Sequence, residues 1–367
     1  MDVTEFFFEV DDPRQSGKCY HELSDIIMIV LCGYLADCEG FEEVCDYAVD
    51  KQAVLGEFLE LPCGIPSHDT INRVFRLIDP RQLEAILIQW GKQIVGLLTD
   101  KQLVVDGKQL RGTRKAGKKQ ANVQIVSVWA EGEQMCLAQG QIEQKTNEIK
   151  AIPEVLTPLD IKGSVVSIDA IGCQKEIAKL IVDTKKANYV IGLKANQDGL
   201  YEQVVDHFAR LGASLATDVS RDLGHGRGEK RTVMVSEELA LVDAVDGWAG
   251  LKSVVCVDSI RWINGKEESG KRFYISSLCG LSAAQMGQYI RRHWSIENQL
   301  HWHLDVTFDE DRCRVRKDHA PRNLTTVRKV ALGLLRRNPL KMSLARKRKK
   351  AARDDAYLKD LLGQLTV

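Results

Sequence analysis

Two stretches decide the fold of this chain: LVVDGK at residues 103–108 and VVSIDA at residues 165–170. Each is a run of apolar and β-branched residues that leads directly into an aspartate, Asp106 in the first and Asp169 in the second. Short apolar runs of this composition are typical of buried strands. The sequence therefore predicts two buried strands, each with a carboxylate at its end.

The segment around these strands, residues 101–211, alternates between strand and helix periodicity. Strands are predicted at 103–106, 123–130, 134–142, 165–169 and 189–193, and helices at 149–156, 174–183 and 200–211. Three strands before the first helix suit antiparallel pairing, whereas the later strand–helix–strand units suit parallel pairing. This order predicts an α/β (α+β) fold in which helices flank a mixed sheet.

Residues 212–278 interrupt this alternation with further strands, predicted at 231–235, 251–263 and 272–277. A turn is expected at Asn264-Gly265, a typical hairpin pair. Helix periodicity returns at Ser282 and continues to about residue 304. The sequence therefore predicts a β-rich insertion at 212–278, between a first core segment at 101–211 and a second at 279–335.

Residues 1–100 have the pattern of an all-helical domain, in which Ser67 can cap a helix with apolar residues at 71, 74, 75 and 78. This segment holds 19 acidic and 7 basic side chains, a net charge of −12. Short helices joined by tight breaks are typical of helix-turn-helix DNA readers. The negative charge opposes DNA binding, so contact with another protein chain is an equal alternative.

The rest of the chain carries the opposite charge. The whole sequence balances 51 basic against 51 acidic residues, so residues 101–367 have a net charge of +12. Residues 312–353 hold 16 basic side chains and one acidic one, Asp318. A basic C-terminal tail is predicted at 336–367, and its run Arg346, Lys347, Arg348, Lys349 and Lys350 would attract a polyanion. The alternative is a solvated basic tail without a ligand.

The cysteines and the apolar runs of the sequence indicate in which cellular compartment the protein is expected. The ten cysteines lie singly, without CxxC pairs or zinc spacing, as in a cytoplasmic protein with reduced thiols. The acidic N-terminus is unlike a signal peptide. The longest apolar run, residues 26–36, is too short to cross a bilayer. A cytoplasmic protein without a membrane partner is expected.

The two aspartates and a distant glutamate predict chemistry on phosphodiesters. Glu297 lies on a predicted helix in the stretch YIRRHWSIENQLHWHLDVTFDEDRCR, residues 289–314. Strand ends hold Asp106 and Asp169 rigidly, and a helix packed on the sheet can deliver a third carboxylate. Two Mg²⁺ ions held by carboxylates can activate an attacking oxygen and stabilise a leaving one. The pattern predicts a nucleic-acid-cutting enzyme.

The helix offers alternatives to this interpretation. His293, Glu297 and His301 are spaced i, i+4 and i+8, so they share a helical face and would also suit a transition metal. Trp294 and Trp302 flank the glutamate and could stack on a displaced base, although such tryptophans more often line a core or a groove.

Basic and polar side chains near these elements are candidate phosphate contacts that would not read sequence. The candidates are Lys108, Arg111, Lys194 and Asn196, the cluster His225, Arg227, Lys230 and Arg231, and the helix residues Arg292, His293, Trp294, Asn298 and His301. The alternative for any one of them is ordinary loop charge.

Nearly the whole chain resembles the IS4-like DDE transposases, in the group of the ISAs1 insertion sequences and the H-repeat-associated proteins. The resemblance is carried by the helical opening and by the blocks VVDGKQLRGT, KTNEIKAIPEVL, SIDAIGCQKEIA, GLKANQ, HGRGEKR, ISSL and RRHWSIENQLHWHLDVTFDEDRCRVR. It implies an RNase H-like catalytic fold with a metal-binding triad of Asp106, Asp169 and Glu297. It also implies Mg²⁺-dependent cutting at element ends, with Mn²⁺ as a possible substitute.

The same resemblance implies that the freed 3′-hydroxyl is joined to target DNA, and that a homodimer or larger assembly acts on double-stranded DNA. The family pattern Tyr-x2-Arg-x3-Glu-x6-Lys is not matched around Glu297, where its other positions hold Ile290, His293 and Leu304. Tyr289 and Arg292 each lie one residue away from the expected place. An inactive or domesticated DNA-binding relic and a non-transposing metal nuclease are the alternative functions, and Asp305 and Asp309 are further candidate acids.

Overall fold

A computed structural model describes residues 3–114, 122–142, 148–224, 227–240, 242–263 and 266–366. The predicted turn Asn264-Gly265 and His225 lie outside these residues. None of the described helices is long and apolar enough to cross a membrane. The α-helices are α1 Leu23–Leu35, α2 Phe41–Asp50, α3 Gln52–Leu55, α4 His68–Leu77, α5 Pro80–Val95, α6 Glu148–Leu156, α7 Lys175–Lys179, α8 Asp198–Leu211, α9 Ala283–His293, α10 Ala320–Arg337, α11 Leu344–Ala351 and α12 Asp355–Gly363.

The strands form one nine-stranded sheet in the order β3-β2-β1-β4-β5-β9-β8-β7-β6. They are β1 Gln102–Leu110, β2 Val123–Ala130, β3 Met135–Ile142, β4 Val165–Ile168, β5 Asn188–Leu193, β6 Thr217–Gly224, β7 Arg227–Ser236, β8 Ser253–Ile263 and β9 Lys266–Ser276. β1, β2 and β3 pair antiparallel, and β1, β4 and β5 pair parallel. The predicted mixed α/β architecture is confirmed, with the strand order 3-2-1-4-5 of an RNase H-like sheet.

The β-rich segment extends this sheet. β9 pairs antiparallel with β5, and β8, β7 and β6 continue outward. The sequence did not predict β6, because its residues TDVSRDLG are mostly polar and exposed on an outer edge. The predicted strand at 231–235 begins earlier, at Arg227, because the start of β7 pairs with β6 and β8.

β1 is longer than predicted. The sequence places its end at Asp106, but the antiparallel pairing with β2 continues to Leu110 opposite Val123. The parallel pairing with β4 does end where expected, at Val105 opposite Ile168. Asp106 and Asp169 are therefore the next residues on two neighbouring strands, at the same edge of the parallel part of the sheet.

The helix that carries Glu297 is not a continuous α-helix. α9 is capped by a reciprocal hydrogen-bond pair between Ser282 and Gln285. Beyond Trp294 the chain continues as two π-helical turns, Glu297–His301 and His303–Thr307. The expected helix exists, but its last two turns are wider than 3.6-residue periodicity implies.

The N-terminal helices pack against α10, whose residues are almost all buried. Trp90 of α5 lies against Gly333 of α10 so closely that a Cβ on the glycine would come within 2.8 Å of the indole ring. Ser67 caps α4 as predicted, by accepting a hydrogen bond from the Thr70 backbone N–H.

Residues 336–366, predicted as a basic tail, include the helices α11 and α12. This part of the chain packs on α10 and α1. Lys347 and Arg348 are buried, with exposed fractions of 4% and 1%. The prediction that the whole basic run faces a polyanion is wrong for these two residues, because their charges are used inside the fold.

Candidate active site

Asp106 and Asp169 lie side by side where the parallel pairing of β1 and β4 ends. The chain turns sharply after β4, and the Asp169 carboxylate accepts a hydrogen bond of 3.0 Å from the Ile171 backbone N–H. Asp106 instead stays within β1, opposite Ser127. Its carboxylate is largely shielded from water, with 27% of its side chain exposed.

Glu297 and His301 come from the first π-helical turn and face Asp106. The His301 Nδ1 lies 3.0 Å from Glu297 Oε2 and 3.6 Å from Asp106 Oδ2. Glu297 is the exposed member, with 63% of its side chain accessible, whereas His301 is 3% exposed. One potential ligand atom from each of these three residues lies within 4.8 Å of the other two.

The electrostatics of the site follow from the burial of Asp106 and from the hydrogen bond between His301 and Glu297. The pKa of Asp106 is raised to about 6, chiefly because burial disfavours the charged carboxylate. His301 and the Gly107 backbone N–H oppose this rise, and the charges of Asp169 and Glu297 add to it. The hydrogen bond from His301 lowers the pKa of Glu297, with smaller help from Lys108 and Arg111. Carboxylates that repel one another in a partly dry site are suited to a divalent cation. The carboxylates of Asp106 and Glu297 therefore fit a metal ion, whereas Asp169 acts on Asp106 through its charge and does not belong to the group of three described residues whose ligand atoms lie within 4.8 Å of one another.

His293 belongs to a different contact. Its Nδ1 lies 3.2 Å from the hydroxyl of Ser167, which in turn accepts a hydrogen bond from the Gln102 amide. Burial lowers the pKa of His293 to about 4, so the ring is neutral at pH 7. His293 is not part of the Asp106, Glu297 and His301 group. The His293-Glu297-His301 transition-metal alternative is thus not assembled among the described residues.

Lys108, predicted as a phosphate contact, is instead buried among acids. Its ammonium lies 2.5 Å from Asp305 Oδ1 and 2.6 Å from Glu310 Oε2, and 9% of its side chain is exposed. Burial opposes its charge, but Glu310 and Asp305 raise its pKa above the usual value. This prediction is corrected because the Lys108 charge is used in an internal ion pair.

Several predicted contacts lie on the surface. Those exposed are Arg111, Lys194, Asn196, Arg292, Trp294, Asn298, Arg346 and Lys349. The Asn196 side chain also donates a hydrogen bond to the Ala170 carbonyl, next to Asp169. The Arg272 guanidinium lies over the Trp294 ring, 5.3 Å from the ring centroid. Lys350 is half-buried and paired with Asp354, and the Arg227 side chain lies outside the described residues.

Sequence reasoning offered Asp305 as a further candidate acid but missed Glu310 and Arg328, which are buried charges beneath the site. Asp305 is half-buried beside Lys108, and burial raises its pKa. Glu310 is fully buried, and despite that burial Lys108 and Arg328 lower its pKa to about 2. One signal was available: Lys108 is two residues after Asp106 on a strand, so both side chains point to the same face.

The chain matches two families of known proteins. Residues 4–91 match the DDE_Tnp_1-associated family, and residues 98–334 match the transposase DDE domain family. Relatives include "Putative transposase YncI" of Escherichia coli O157:H7, which is 35% identical over 98% of this chain and 94% of its own length. "H repeat-associated putative transposase YhhI" of Escherichia coli K12 is 33% identical over 96% of this chain and 95% of its own length.

Among solved structures, a piggyBac transposase synaptic complex with hairpin DNA aligns with 98% of this chain and 77% of that chain, at a TM-score of 0.47 and 11% identity. The family matches together span both the helical N-terminal segment and the sheet that holds Asp106 and Asp169. The chain therefore belongs to the DDE transposase family.

Proposed function

We propose that Asp106, Asp169 and Glu297 are the metal-binding catalytic residues of this transposase and that the metal is Mg²⁺, with Mn²⁺ as a substitute. The substrate is double-stranded DNA, which the enzyme cuts at element ends before joining the 3′-hydroxyl to target DNA. The observation that carries this proposal is the meeting of Asp106 and Asp169 at neighbouring strand ends, with Glu297 delivered beside Asp106 by a packed helix.

The chemistry of the donor set supports Mg²⁺. Oxygen ligands from a few carboxylates are what Mg²⁺ prefers in phosphoryl-transfer sites, with substrate phosphate and water as further ligands. A bound pair of such ions supplies activation of the attacking oxygen and stabilisation of the leaving one. The chain's own contribution is to place Glu297 beside Asp106, to end β4 next to β1 just before Asp169, and to keep Asp106 largely shielded from bulk water.

Exposed basic side chains and the exposed amide of Asn298 are proposed to hold the DNA backbone. Arg111 has 78% of its side chain exposed, and Arg292 has 51% exposed. Arg111 also lies close enough to Glu297 for its charge to lower the pKa of that carboxylate. Contacts of this kind position phosphates without reading base sequence. We place Lys194, Asn298, Arg346 and Lys349 in the same role.

The assembly is proposed to be a homodimer or larger on DNA, because two element ends must be brought together, and to act in the cytoplasm. In this proposal residues 4–91 serve protein contact, since the net charge of −12 over residues 1–100 opposes direct DNA binding. Residues 101–211 and 279–335 form the catalytic core, and residues 212–278 extend its sheet.

The test uses a DNA fragment with the genomic flanks of this gene, the purified full-length chain and Mg²⁺ or Mn²⁺. We expect metal-dependent cuts at inverted-repeat ends, mapped to the nucleotide, and no cuts with Asp106→Asn although that variant still binds DNA. Normal cutting by Asp106→Asn would overturn the triad. Binding without any cutting by the wild type would indicate a relic, and cutting without joined product would indicate a nuclease.

A further inference from the structure

We propose that His301 and Lys108 are positioning residues that clamp the helix carrying Glu297 onto the strand carrying Asp106, and that neither of them binds the metal. The inference rests on the proposed roles of Asp106 and Glu297. It assigns a different function to two residues whose types and positions suggest DNA contact or metal ligation.

The first contact of the clamp is His301. Its Nδ1 faces both carboxylates, at 3.0 Å from Glu297 Oε2 and 3.6 Å from Asp106 Oδ2. The shorter distance is that of a hydrogen bond, and the longer one is a weaker electrostatic contact. A carboxylate accepts but cannot donate, so this nitrogen must carry the proton. His301 thereby ties the exposed Glu297 to the shielded Asp106.

The other ring nitrogen supports the same protonation. The Nε2 atom of His301 is buried and has no hydrogen-bond partner among the described residues. If a metal took Nδ1, the proton would have to move to Nε2, where it would be a buried donor without an acceptor. A buried N–H without an acceptor destabilises the fold. With the proton on Nδ1, the N–H faces the carboxylates of Glu297 and Asp106, which can accept it, so the donor arrangement is favoured over ligation.

The second contact lies further along both elements. Lys108 is two residues after Asp106 on β1, and Asp305 is four residues after His301 on the helix. The Lys108 Nζ and Asp305 Oδ1 atoms are 2.5 Å apart. Lys108 is also anchored from below by Glu310, at 2.6 Å. Asp106 on β1 thus faces His301 on the helix, and Lys108 faces Asp305 one helical turn further on. The two contacts fix both the distance of the helix from β1 and its rotation about its own axis.

The variant that tests the second contact is Asp305→Asn, which keeps the shape of the side chain and removes its charge. Lys108 keeps its ion pair with Glu310 in this variant. Asp309→Asn is the control, because Asp309, a candidate acid in the sequence, does not belong to the group that Asp106, Glu297 and His301 form. It makes the same change four residues later, where the carboxylate pairs at 3.6 Å with the exposed Arg312 and the backbone φ of 48° suits asparagine. Neither atom of that pair touches Lys108.

The matching variants for the first contact are His301→Ala and His301→Asn. Alanine removes the donor. Asparagine places an amide N–H close to the former Nδ1 position, so it can still donate to Glu297. Rescue by asparagine separates a donor from a ring that merely fills space.

The measurement is Mn²⁺ binding to the full-length protein without DNA, followed by electron paramagnetic resonance. We expect Asp305→Asn and His301→Ala to weaken binding about ten-fold or more, the usual effect of losing a residue that orients a ligand. Asp309→Asn should bind like the wild type, and His301→Asn should recover most of the affinity. Should His301→Ala not fold, Asp305→Asn and His301→Asn still carry the test.

Two results would overturn the clamp. One is wild-type Mn²⁺ affinity in both Asp305→Asn and His301→Ala while Asp106→Asn loses the ion. The other is a ¹⁵N-histidine coupling to bound Mn²⁺ that disappears in His301→Asn, which would make His301 a ligand. If Asp106→Asn itself binds Mn²⁺ normally, the proposed metal site fails together with the clamp.

Discussion

At the scale of one residue, the carboxylate of Asp106 shows that a functional group can lower the stability of the fold. It is shielded from water and lies near the charges of Asp169 and Glu297, so its pKa is raised to about 6. The pKa of an aspartate in the unfolded chain is about 3.9. A pKa that is higher in the folded state means that the ionised form destabilises the fold. This destabilisation is absent below about pH 4, grows as the pH rises, and is complete above about pH 6.

Asp106→Asn should therefore stabilise the protein when no metal is bound. At pH 7.5 with a chelator, we expect the free energy of unfolding to rise by about 1–3 kcal/mol, since two pKa units correspond to about 3 kcal/mol. The gain should shrink as the pH falls through 6 and vanish near 4. Thermal unfolding at several pH values measures it. A variant less stable than the wild type at pH 7.5 would contradict this account of Asp106.

Gly112 is a position where the neighbouring backbone leaves no room for a side chain. It lies in the short turn Arg111–Thr113 after β1. A Cβ at this position would lie 2.2 Å from the Cys313 carbonyl oxygen and 2.9 Å from that of Asp311. The close approach joins the end of β1 to the segment that follows the Glu297 helix.

We expect Gly112→Ala to lower the free energy of unfolding by more than about 2 kcal/mol, because two backbone segments would have to separate. Chemical denaturation measures this. Gly132→Ala is the control, since a Cβ in that turn between β2 and β3 would meet nothing within 4 Å. Equal stability of the two variants would show that the turn can move away without cost.

At the scale of elements, the π-helical turns keep the site on one face of the helix. In an α-helix four residues rotate by about 400°, so residues spaced by four drift about 40° per step. A π-turn has roughly 4.4 residues, and four residues then drift about 33° the other way. The alternation of α-helical and π-helical turns therefore keeps His293, Glu297, His301 and Asp305 directed at the sheet.

Deletion of Asn298 tests this geometry. The residue is exposed and lies inside the first π-turn. Removing it should return the turn to α-helical geometry and rotate His301 and Asp305 relative to Glu297. We expect unchanged helix content by circular dichroism and at least about ten-fold weaker Mn²⁺ binding without DNA. Asn298→Ala, which keeps the length, should bind Mn²⁺ normally. Normal binding by the deletion variant would show that the π-turn has no such role.

Elements with a strong pattern were predictable from the sequence, and elements defined by tertiary contacts were not. The buried strand before Asp169 is recognisable because its four residues are all apolar or small. β6 is not recognisable, because a partner strand rather than burial holds it. The π-turns were also out of reach, since a 3.6-residue pattern predicts only that a helix exists.

At the scale of the whole molecule, charge counting overestimated the surface available to DNA. Part of the basic surplus of residues 312–353 is used internally. Arg322 pairs at 2.6 Å with Glu84, Arg328 contacts Glu310 at 3.6 Å, and Arg348 pairs at 3.0 Å with Asp37. A count of residues cannot show which charges fold back onto the acidic N-terminal segment.

Arg348 shows how far the parts of the chain depend on one another. Its guanidinium donates to the carbonyls of Tyr34 and Cys38 at the end of α1 and to that of Thr307 at the end of the second π-turn. It also stacks on Phe308, 4.5 Å from the ring centroid. One side chain thus joins the C-terminal helices, the N-terminal helices and the helix of the active site.

The N-terminal segment should therefore be needed for the catalytic part to fold. Apolar side chains of α1, α4 and α5 belong to the same buried cluster as those of α10 and of β1 to β5. A fragment of residues 98–367 would expose the face of α10 that Trp90 covers and would leave Arg348 without two of its acceptors. We expect this fragment to lack a cooperative thermal transition and to bind a hydrophobic dye, whereas the full chain unfolds sharply. A sharp transition of the fragment near that of the full chain would instead make the segment an independent domain, dispensable for the geometry of Asp106, Asp169 and Glu297.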